Sequence, residues 1–230
     1  MKIVFFLIIG CCVLSGCSNS LEKQIWNNIA EIREFVVYGK DEGVSVSLIC
    51  GRRESEYKMN GYATDLIPFG VLTITYDNID ALDISEAKYT LYVGTEKFVG
   101  DLVQNPFDQT LVADIGTIVN KDANISVDIW VENKKTSLKL KNIDEDWGIT
   151  SSECIDILIE HYKNQLKSFV NDEFMAEVYI KIMNDYDMYG SDFYYYVSVI
   201  GRSGSSLSMI ISPKTGDILA SNSNIVPKVE

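Results

Sequence analysis

The chain has 230 residues and a formal net charge of −13, from 20 lysines and arginines against 33 aspartates and glutamates. Hydrophobic residues make up 47% of it, which is typical of a globular protein and excludes an intrinsically disordered chain. Because phosphate backbones and anionic lipid surfaces repel so acidic a protein, the composition also argues against a nucleic-acid-binding function.

The first part of the chain has the pattern of a bacterial lipoprotein signal. Lys2 precedes an apolar run over residues 3–14, which is too short to span a bilayer as a helix. The run ends in LSGC, which resembles the lipobox of bacterial lipoproteins. In that family the cysteine receives a diacylglyceryl group and the signal peptide is cleaved just before it. The resemblance implies a signal peptide over residues 1–16 and lipidation of Cys17; the alternatives are an ordinary secretory signal or a buried apolar strand.

A diacylated Cys17 would anchor the protein stably, because two acyl chains give stable attachment to a membrane, whereas one chain binds only reversibly. Since the later apolar stretches are strand-sized, we expect a protein anchored by its lipid to the extracytoplasmic face of the cell membrane. Residues 17–34 are predicted to form a lipidated tether and a short amphipathic helix. The apolar residues of that helix recur at helical spacing: Leu21, Ile25, Ile29 and Ile32.

From about residue 35 the hydrophobic period changes to two. Apolar and polar side chains alternate in GVSVSL, GVLTITY and ISVDIWV, among other strand-like segments. Turn-forming clusters such as GKDEG, NPFDQ and NKDAN separate seven or eight such segments. The pattern predicts an immunoglobulin-like β-sandwich over residues 35–142, although the Cys-Trp-Cys spacing of a true immunoglobulin domain is missing.

The second half of the chain begins with a helix signal. Thr150 and Glu153 have the spacing of a capping box, in which hydroxyl and carboxylate each accept a hydrogen bond from an otherwise unpaired backbone N–H. An apolar stripe at helical spacing then continues to Phe169. Three strands follow in FMAEVYIKI, DFYYYVSVIG and SLSMIIS, and PKTGDILA predicts a turn at Pro213 and Gly216.

This helix and the strands ending in MIISPKTGDILA resemble the PepSY fold, in which the last strand runs into a P-x-T-G-E-like turn. The resemblance implies a PepSY-like domain over residues 149–221, a helix plus an antiparallel three- to four-stranded sheet, with a tail at residues 222–230. The whole chain is thus predicted to be α+β. Upstream, GRRESEYKMNGYATDLIPFGVLTI is similar to a segment of uncharacterised lipoproteins of low-GC Gram-positive bacteria.

The sequence offers little for catalysis. Its one histidine, His161, lacks the further ligands of a zinc site and the nucleophile motif of a Ser-His-Asp triad. NDYDMYGSD at residues 184–192 fits three positions of a calcium loop, but Tyr189 and Tyr196 stand where an oxygen ligand and a bidentate glutamate are needed. We therefore predict no enzyme, no catalytic residue, no metal and no cofactor. A hydrolase that uses only carboxylates for catalysis is a further hypothesis, which the sequence leaves open.

The two faces of the C-terminal strands differ in character. One is aliphatic, and the other mixes tyrosines with serines and a few charges. Tyrosine combines apolar area with a hydroxyl, which suits recognition, so Tyr179, Tyr194 and Tyr196 are the candidate docking face. The alternative is that this face packs on the sandwich or is simply solvated.

These features favour a non-catalytic binding or scaffold protein of the cell envelope, with a protein or a cell-wall ligand as its partner. The alternative is a PepSY-type regulator or inhibitor of an envelope or secreted protease, because PepSY modules occur as propeptides of secreted metalloproteases, some with inhibitory roles. Cys50 and Cys154 lie in different predicted domains, so we expect two free thiols rather than a disulfide.

Overall fold

The computed structural model describes residues 20–55, 64–78, 86–132, 134–184 and 193–226. The predicted lipid site at Cys17 and the calcium-like positions after Asn184 lie outside these residues.

The described chain forms two α-helices, fifteen strands and short 3₁₀ turns. The helices are α1 (Leu21–Trp26) and α2 (Glu153–Leu166), with 3₁₀ turns at Asp144–Asp146 and Lys167–Phe169. The strands of the N-terminal half are β1 (Ile29–Asp41), β2 (Val44–Glu54), β3 (Leu66–Tyr76), β4 (Ala87–Val93), β5 (Glu96–Asp101), β6 (Val103–Gln104), β7 (Leu111–Asp114), β8 (Ile125–Val131) and β9 (Lys134–Asn142). Those of the C-terminal half are β10 (Val170–Asn171), β11 (Glu173–Phe174), β12 (Ala176–Asn184), β13 (Phe193–Gly201), β14 (Ser206–Ile211) and β15 (Ile218–Asn224).

Strand β1 is the central element, because it pairs with three neighbours. Along one side it runs antiparallel to β2 over nearly its whole length. Along the other side its first residues pair in parallel with β12, where Ile29 lies opposite Val178, and its later residues pair antiparallel with β9, where Tyr38 lies opposite Lys141. The sheet therefore branches at β1. Gly39 permits the approach of β9, since a Cβ there would lie 2.5 Å from the carbonyl oxygen of Lys139.

The N-terminal branch curls around a first hydrophobic core. Its strands follow the order β6-β7-β3-β2-β1-β9-β8-β4-β5, and every neighbouring pair in it is antiparallel. The period of two in the sequence places alternate side chains inside this curl. The fully buried ones include Val46, Leu48, Leu72, Ile74, Leu91, Val127 and Ile129.

The C-terminal branch runs β1-β12-β13-β14-β15 and covers a second core on one face. Helix α2 packs into this core with its apolar stripe, and α1 joins it from the start of the chain. The buried residues of the second core include Ile25, Ile29, Ile32, Ile155, Leu158, Val178, Ile180, Val197, Val199 and Met209. Residues from both ends of the described chain therefore build this core.

The predicted fold class is wrong. Instead of an α+β chain with an immunoglobulin-like sandwich and a separate PepSY-like sheet, the structure is mostly β, with one nearly closed, mainly antiparallel sheet. In the described part, α2 is the only helix longer than six residues. The C-terminal strands lie side by side as expected. However, β12 pairs with β1, so it is not the edge strand of a small separate sheet. Parallel pairing between such distant segments leaves no local signal in a sequence.

The N-terminal helix is also shorter than its spacing predicts. It ends at Trp26, and Ile29 and Ile32 belong to β1. The division into domains at residues 35–142 and 149–221 stays a prediction, but strand β15 continues to Asn224, beyond the expected start of the tail.

Several local predictions are confirmed. The backbone N–H of Thr150 donates to Glu153 Oε2 at 2.7 Å, and the N–H of Glu153 donates to Thr150 Oγ1 at 3.4 Å, which is the reciprocal capping box. At the last turn Gly216 has a φ of 77°, and the N–H of Ser212 donates to the carbonyl oxygen of Asp217 at 2.9 Å. Predictions that depend on a few neighbouring residues are thus confirmed, although the predicted fold class is wrong.

Candidate binding face on the C-terminal sheet

The outer face of β12, β13, β14 and β15 is the candidate site. Alternation along each strand sends one set of side chains into the second core and the other set outward. Val178, Ile180 and Ile182 of β12 are fully buried, whereas Tyr179 and Lys181 between them are half-buried on the outer side. Among the described residues, the three candidate tyrosines belong to neither hydrophobic core.

Tyr179 is already engaged in contacts of its own face. Its hydroxyl donates to Glu177 Oε2 at 2.5 Å, and Lys181 Nζ lies 5.3 Å from the centre of its ring. Lys181 Nζ also lies 3.7 Å from Glu31 Oε2 on β1. These contacts fix the ring and occupy its hydroxyl, so Tyr179 is better suited to support the face than to bind a partner directly.

Tyr194 and Tyr196 lie at the other end of the strands, where the surface is more apolar. In the sheet register Tyr194 is opposite Met183, and Tyr196 is flanked by Lys181 on β12 and Ile210 on β14. Together they line a shallow depression of about 370 Å³ whose walls are Met183, Asn184, Tyr194, Tyr196, Ile210 and Leu219. The side chains of Met183 and Leu219 are 47% and 54% exposed.

A β-bulge explains why Leu219 lies in this depression. Ile211 pairs with Ile218 and Ile210 with Ala220, so Leu219 is the extra residue of β15. The prediction of three to four strands left β15 open, but PKTGDILA predicts only the turn, so neither the bulge nor the outward position of Leu219 was predicted. Met183 was missed because it lies beyond the end of the predicted segment FMAEVYIKI. Its place in the alternation, outward after Ile182, was the available signal.

One polar atom in the depression lacks a partner. Within the described residues, Asn184 Oδ1 is buried and accepts no hydrogen bond. A buried acceptor without a donor is costly, so such groups are uncommon in native proteins. Asn184 also lines the depression, so it adds a polar side chain to an otherwise apolar surface.

Tyr194 also borders a second depression, at the point where the sheet branches. This cleft has a volume of about 280 Å³ and is lined by Tyr38, Ile143, Asp146, Trp147, Phe193, Tyr194, Ser212, Pro213 and Lys214. Its aromatic walls are fixed by edge-to-face packing, with ring centres 5.9 Å apart for Tyr38 and Phe193 and 5.2 Å apart for Trp147 and Tyr195. The two depressions share Tyr194 as a common wall, and we call the surface that surrounds them the tyrosine face.

The remaining residues that the sequence analysis considered are His161 and the two cysteines, Cys50 and Cys154. His161 is exposed on α2. In the described chain Cys50 and Cys154 are free, buried thiols in different cores, which confirms the expectation that they do not pair. Burial raises the pKa of the Cys50 thiol to about 11 and also raises the pKa of the Cys154 thiol, so both are poor nucleophiles at neutral pH.

In the parts of the chain that the structure describes, no group of three or more His, Cys, Asp or Glu side chains is arranged to hold a metal ion. No helix of these parts is long and apolar enough to cross a membrane. No protein-family model matches the chain, no curated protein matches its sequence, and no solved structure matches its fold. The geometry of the tyrosine face is therefore the basis for inferring a function.

Proposed function

We propose that this protein is a lipid-anchored lipoprotein on the extracytoplasmic face of the cell membrane and acts as a non-catalytic binding or scaffold protein of the cell envelope. The observation that supports binding most directly is the tyrosine face. Half-buried Tyr194 and Tyr196 lie there beside the exposed side chains of Met183 and Leu219. Contiguous exposed apolar surface next to tyrosines is typical of binding sites for proteins.

The chemistry of the face narrows the class of partner. The apolar centre suits an apolar or aromatic group, and Asn184 in the wall of the depression adds a polar side chain beside it. Two cationic side chains, Lys181 and Lys214, lie near the rim of the tyrosine face, although the protein as a whole has a net charge of −13. A segment of another envelope protein can supply groups that match this face. A cell-wall ligand that stacks on tyrosine is the second source of the same chemistry.

The anchor part of the proposal comes from the sequence around Cys17. A positive residue, a short apolar run and small residues before a cysteine occur there in the order that lipoprotein processing requires. The first described residue is Ser20, whose hydroxyl accepts from the N–H of Lys23 at 3.3 Å and caps α1. Helix α1 therefore begins four residues after the proposed lipid site.

A capture experiment tests the binding role. The chain from residue 18 is immobilised and incubated with envelope extract, in the native form and as Tyr194→Ala/Tyr196→Ala. We expect the double variant to lose at least about tenfold of the captured partner, because aromatic anchors carry a large share of the binding energy. Phe107→Ala is the matched control, since Phe107 is 95% exposed and far from the face in the sheet order. Equal capture by a double variant with an unchanged circular dichroism spectrum would contradict the proposal.

A further inference from the structure

The start of the described chain lies at one end of the C-terminal branch, where several connections meet. Strands β1 and β12 begin there side by side, since the N–H of Val178 donates to the carbonyl oxygen of Asn28 at 2.9 Å. Strand β13 ends there, because Gly201 lies opposite Ala176 at the start of β12. Helix α1 precedes β1 and packs against α2 and β11. The first described residues, which follow the proposed lipid site in the sequence, therefore lie at this end of the sheet.

Two more hydrogen bonds define the same end. The N–H of Arg202, in the turn between β13 and β14, donates to the carbonyl oxygen of Met175 at 3.3 Å. The N–H of Val226, after β15, donates to Ser205 Oγ at 3.0 Å. We call this surface the anchor end. It consists of α1, residues 167–175, the β13–β14 turn with Ile200 just before it, and Val226.

The anchor end exposes large apolar side chains. Trp26 is 39% exposed, Met175 36%, Ile200 50% and Val226 41%. Trp26 follows Lys23 by three residues on the solvent side of α1, opposite fully buried Ile25. Exposed single hydrophobic residues are ordinary, but here four large ones occur among the elements that meet at this end.

The charge of the anchor end also differs from that of the whole molecule. Its exposed charged side chains balance in sign: Lys23, Lys167 and Arg202 against Glu22, Asp172 and Glu173. The whole chain carries a net charge of −13. A lipid surface with negative charge therefore repels this end less than it repels a surface with the average charge of the molecule.

Chain length fixes how close that approach must be. Three peptide units separate Cys17 from Ser20, and they span at most about 11 Å when fully extended. A diacylated Cys17 lies at the membrane interface, so α1 cannot leave the vicinity of the headgroups. Tryptophan prefers this interface, because its ring is apolar and its indole N–H is polar.

We propose that the anchor end lies against the lipid headgroups with Trp26 in the interface, so that the C-terminal sheet stands upright on the membrane. This inference rests on the proposed lipid anchor at Cys17. In this orientation the strands point away from the bilayer. Met183 and the apolar part of the tyrosine face lie at the far end of β12, roughly 23 Å from its start at Ala176. The binding face is then presented outward, at the height of one strand.

Tryptophan fluorescence of the full-length lipidated protein in phosphatidylcholine vesicles tests this orientation. The vesicles carry a shallow spin-labelled lipid that quenches fluorophores in the interface. The chain has three tryptophans, so the signal of Trp26 is the difference between the native protein and Trp26→Phe. We expect this difference signal to be blue-shifted and quenched at least about twofold, because a tryptophan ring at the headgroup level is shielded from water and lies within reach of the label. Trp130→Phe is the matched control, because Trp130 lies on β8 in the other branch, and its removal should leave the quenched signal unchanged.

The outcomes separate the two proposals. A mass spectrum without a diacylglyceryl group on Cys17 overturns both the anchor and the orientation. A lipidated protein that floats with the vesicles but shows an unquenched Trp26 signal overturns the orientation alone. A blue-shifted Trp26 signal that the lipid-borne quencher does not reach has the same meaning, since protein rather than lipid then covers this end.

Discussion

Glu153 shows how a single residue couples the fold to pH. Hydrogen bonds from the backbone N–H of Thr150, and then from its hydroxyl, lower the pKa of the Glu153 carboxyl below its ordinary value of 4.5. Because the folded pKa is depressed, the stabilisation is fully present above pH 4.5 and is lost as the pH falls through the folded value. The capping box of α2 therefore weakens in acid.

Glu153→Gln tests this coupling. The amide can still accept the hydrogen bonds but carries no charge, so we expect the Tm at pH 7 to fall by about 2 °C and the difference from the native protein to vanish toward pH 3. Thermal melts by circular dichroism at several pH values measure it. Glu160→Gln removes the same charge from the exposed middle of α2 and should not show this pattern. A pH-independent difference for Glu153→Gln would contradict the assignment.

At the scale of the element, the segment that joins the two branches is pinned to the C-terminal sheet. Residues 142–147 are acidic, and the sequence suggests a solvated linker there. In the structure the Trp147 ring packs on Tyr195, and the N–H groups of Gly148 and Ile149 donate to the carbonyl oxygen of Pro213 at 2.9 and 3.1 Å. A Cβ at Gly148 would overlap the carbonyl oxygen of Lys214. This connection therefore needs a glycine.

We expect Gly148→Ala to destabilise the protein by about 2 kcal/mol, because the added methyl group forces the segment away from the Pro213 turn. Urea unfolding followed by fluorescence in a Trp26→Phe/Trp130→Phe background, in which Trp147 is the only tryptophan, measures the change. Gly116→Ala is a useful comparison. At Gly116 the φ is 68° and no described atom lies within 4 Å of a new Cβ, so only the backbone cost of about 1 kcal/mol applies. An unchanged midpoint for Gly148→Ala would show that the segment is not held in this way.

The same elements show what the sequence could predict. The helix start at Thr150, the inward set Val178, Ile180 and Ile182, and the turn at Gly216 depend on neighbours within a few residues, and these predictions are confirmed. The parallel pairing of β1 with β12 depends on distant residues, and Ile29 and Ile32 fit a helix as well as a strand. Tyr194 and Tyr196 were found by alternation, whereas Leu219 required knowledge of a bulge.

At the scale of the whole molecule, the second core joins the two ends of the described chain. Ile25 of α1 is fully buried among residues of α2 and of the C-terminal strands. The segment predicted to be a tether thus contributes part of the core beneath the tyrosine face. Removing that contribution should weaken the C-terminal branch, although the sequence separation exceeds a hundred residues.

Ile25→Ala tests this dependence. Truncating a buried isoleucine costs about 2–5 kcal/mol, so we expect the urea transition reported by Trp147, which contacts Tyr195 of the C-terminal branch, to move to lower urea. Ile67→Ala is the control, since Ile67 is 46% exposed and its truncation should change stability by less than about 0.5 kcal/mol. If Ile25→Ala leaves the urea midpoint reported by Trp147 unchanged, the C-terminal half is a domain independent of the N-terminal helix.

The parallel pairing of β1 and β12 has a mechanical consequence. For a protein held at Cys17, a pull from the membrane enters at the start of β1, and a ligand on the tyrosine face pulls from the far end of β12 and β13. The two forces act in opposite directions along neighbouring strands, so the hydrogen bonds around Ile29 and Val178 are loaded together in shear instead of being peeled one at a time. Rupture under tension is governed by the rate of unfolding, and this geometry lets a modest number of bonds share the load of a tethered partner.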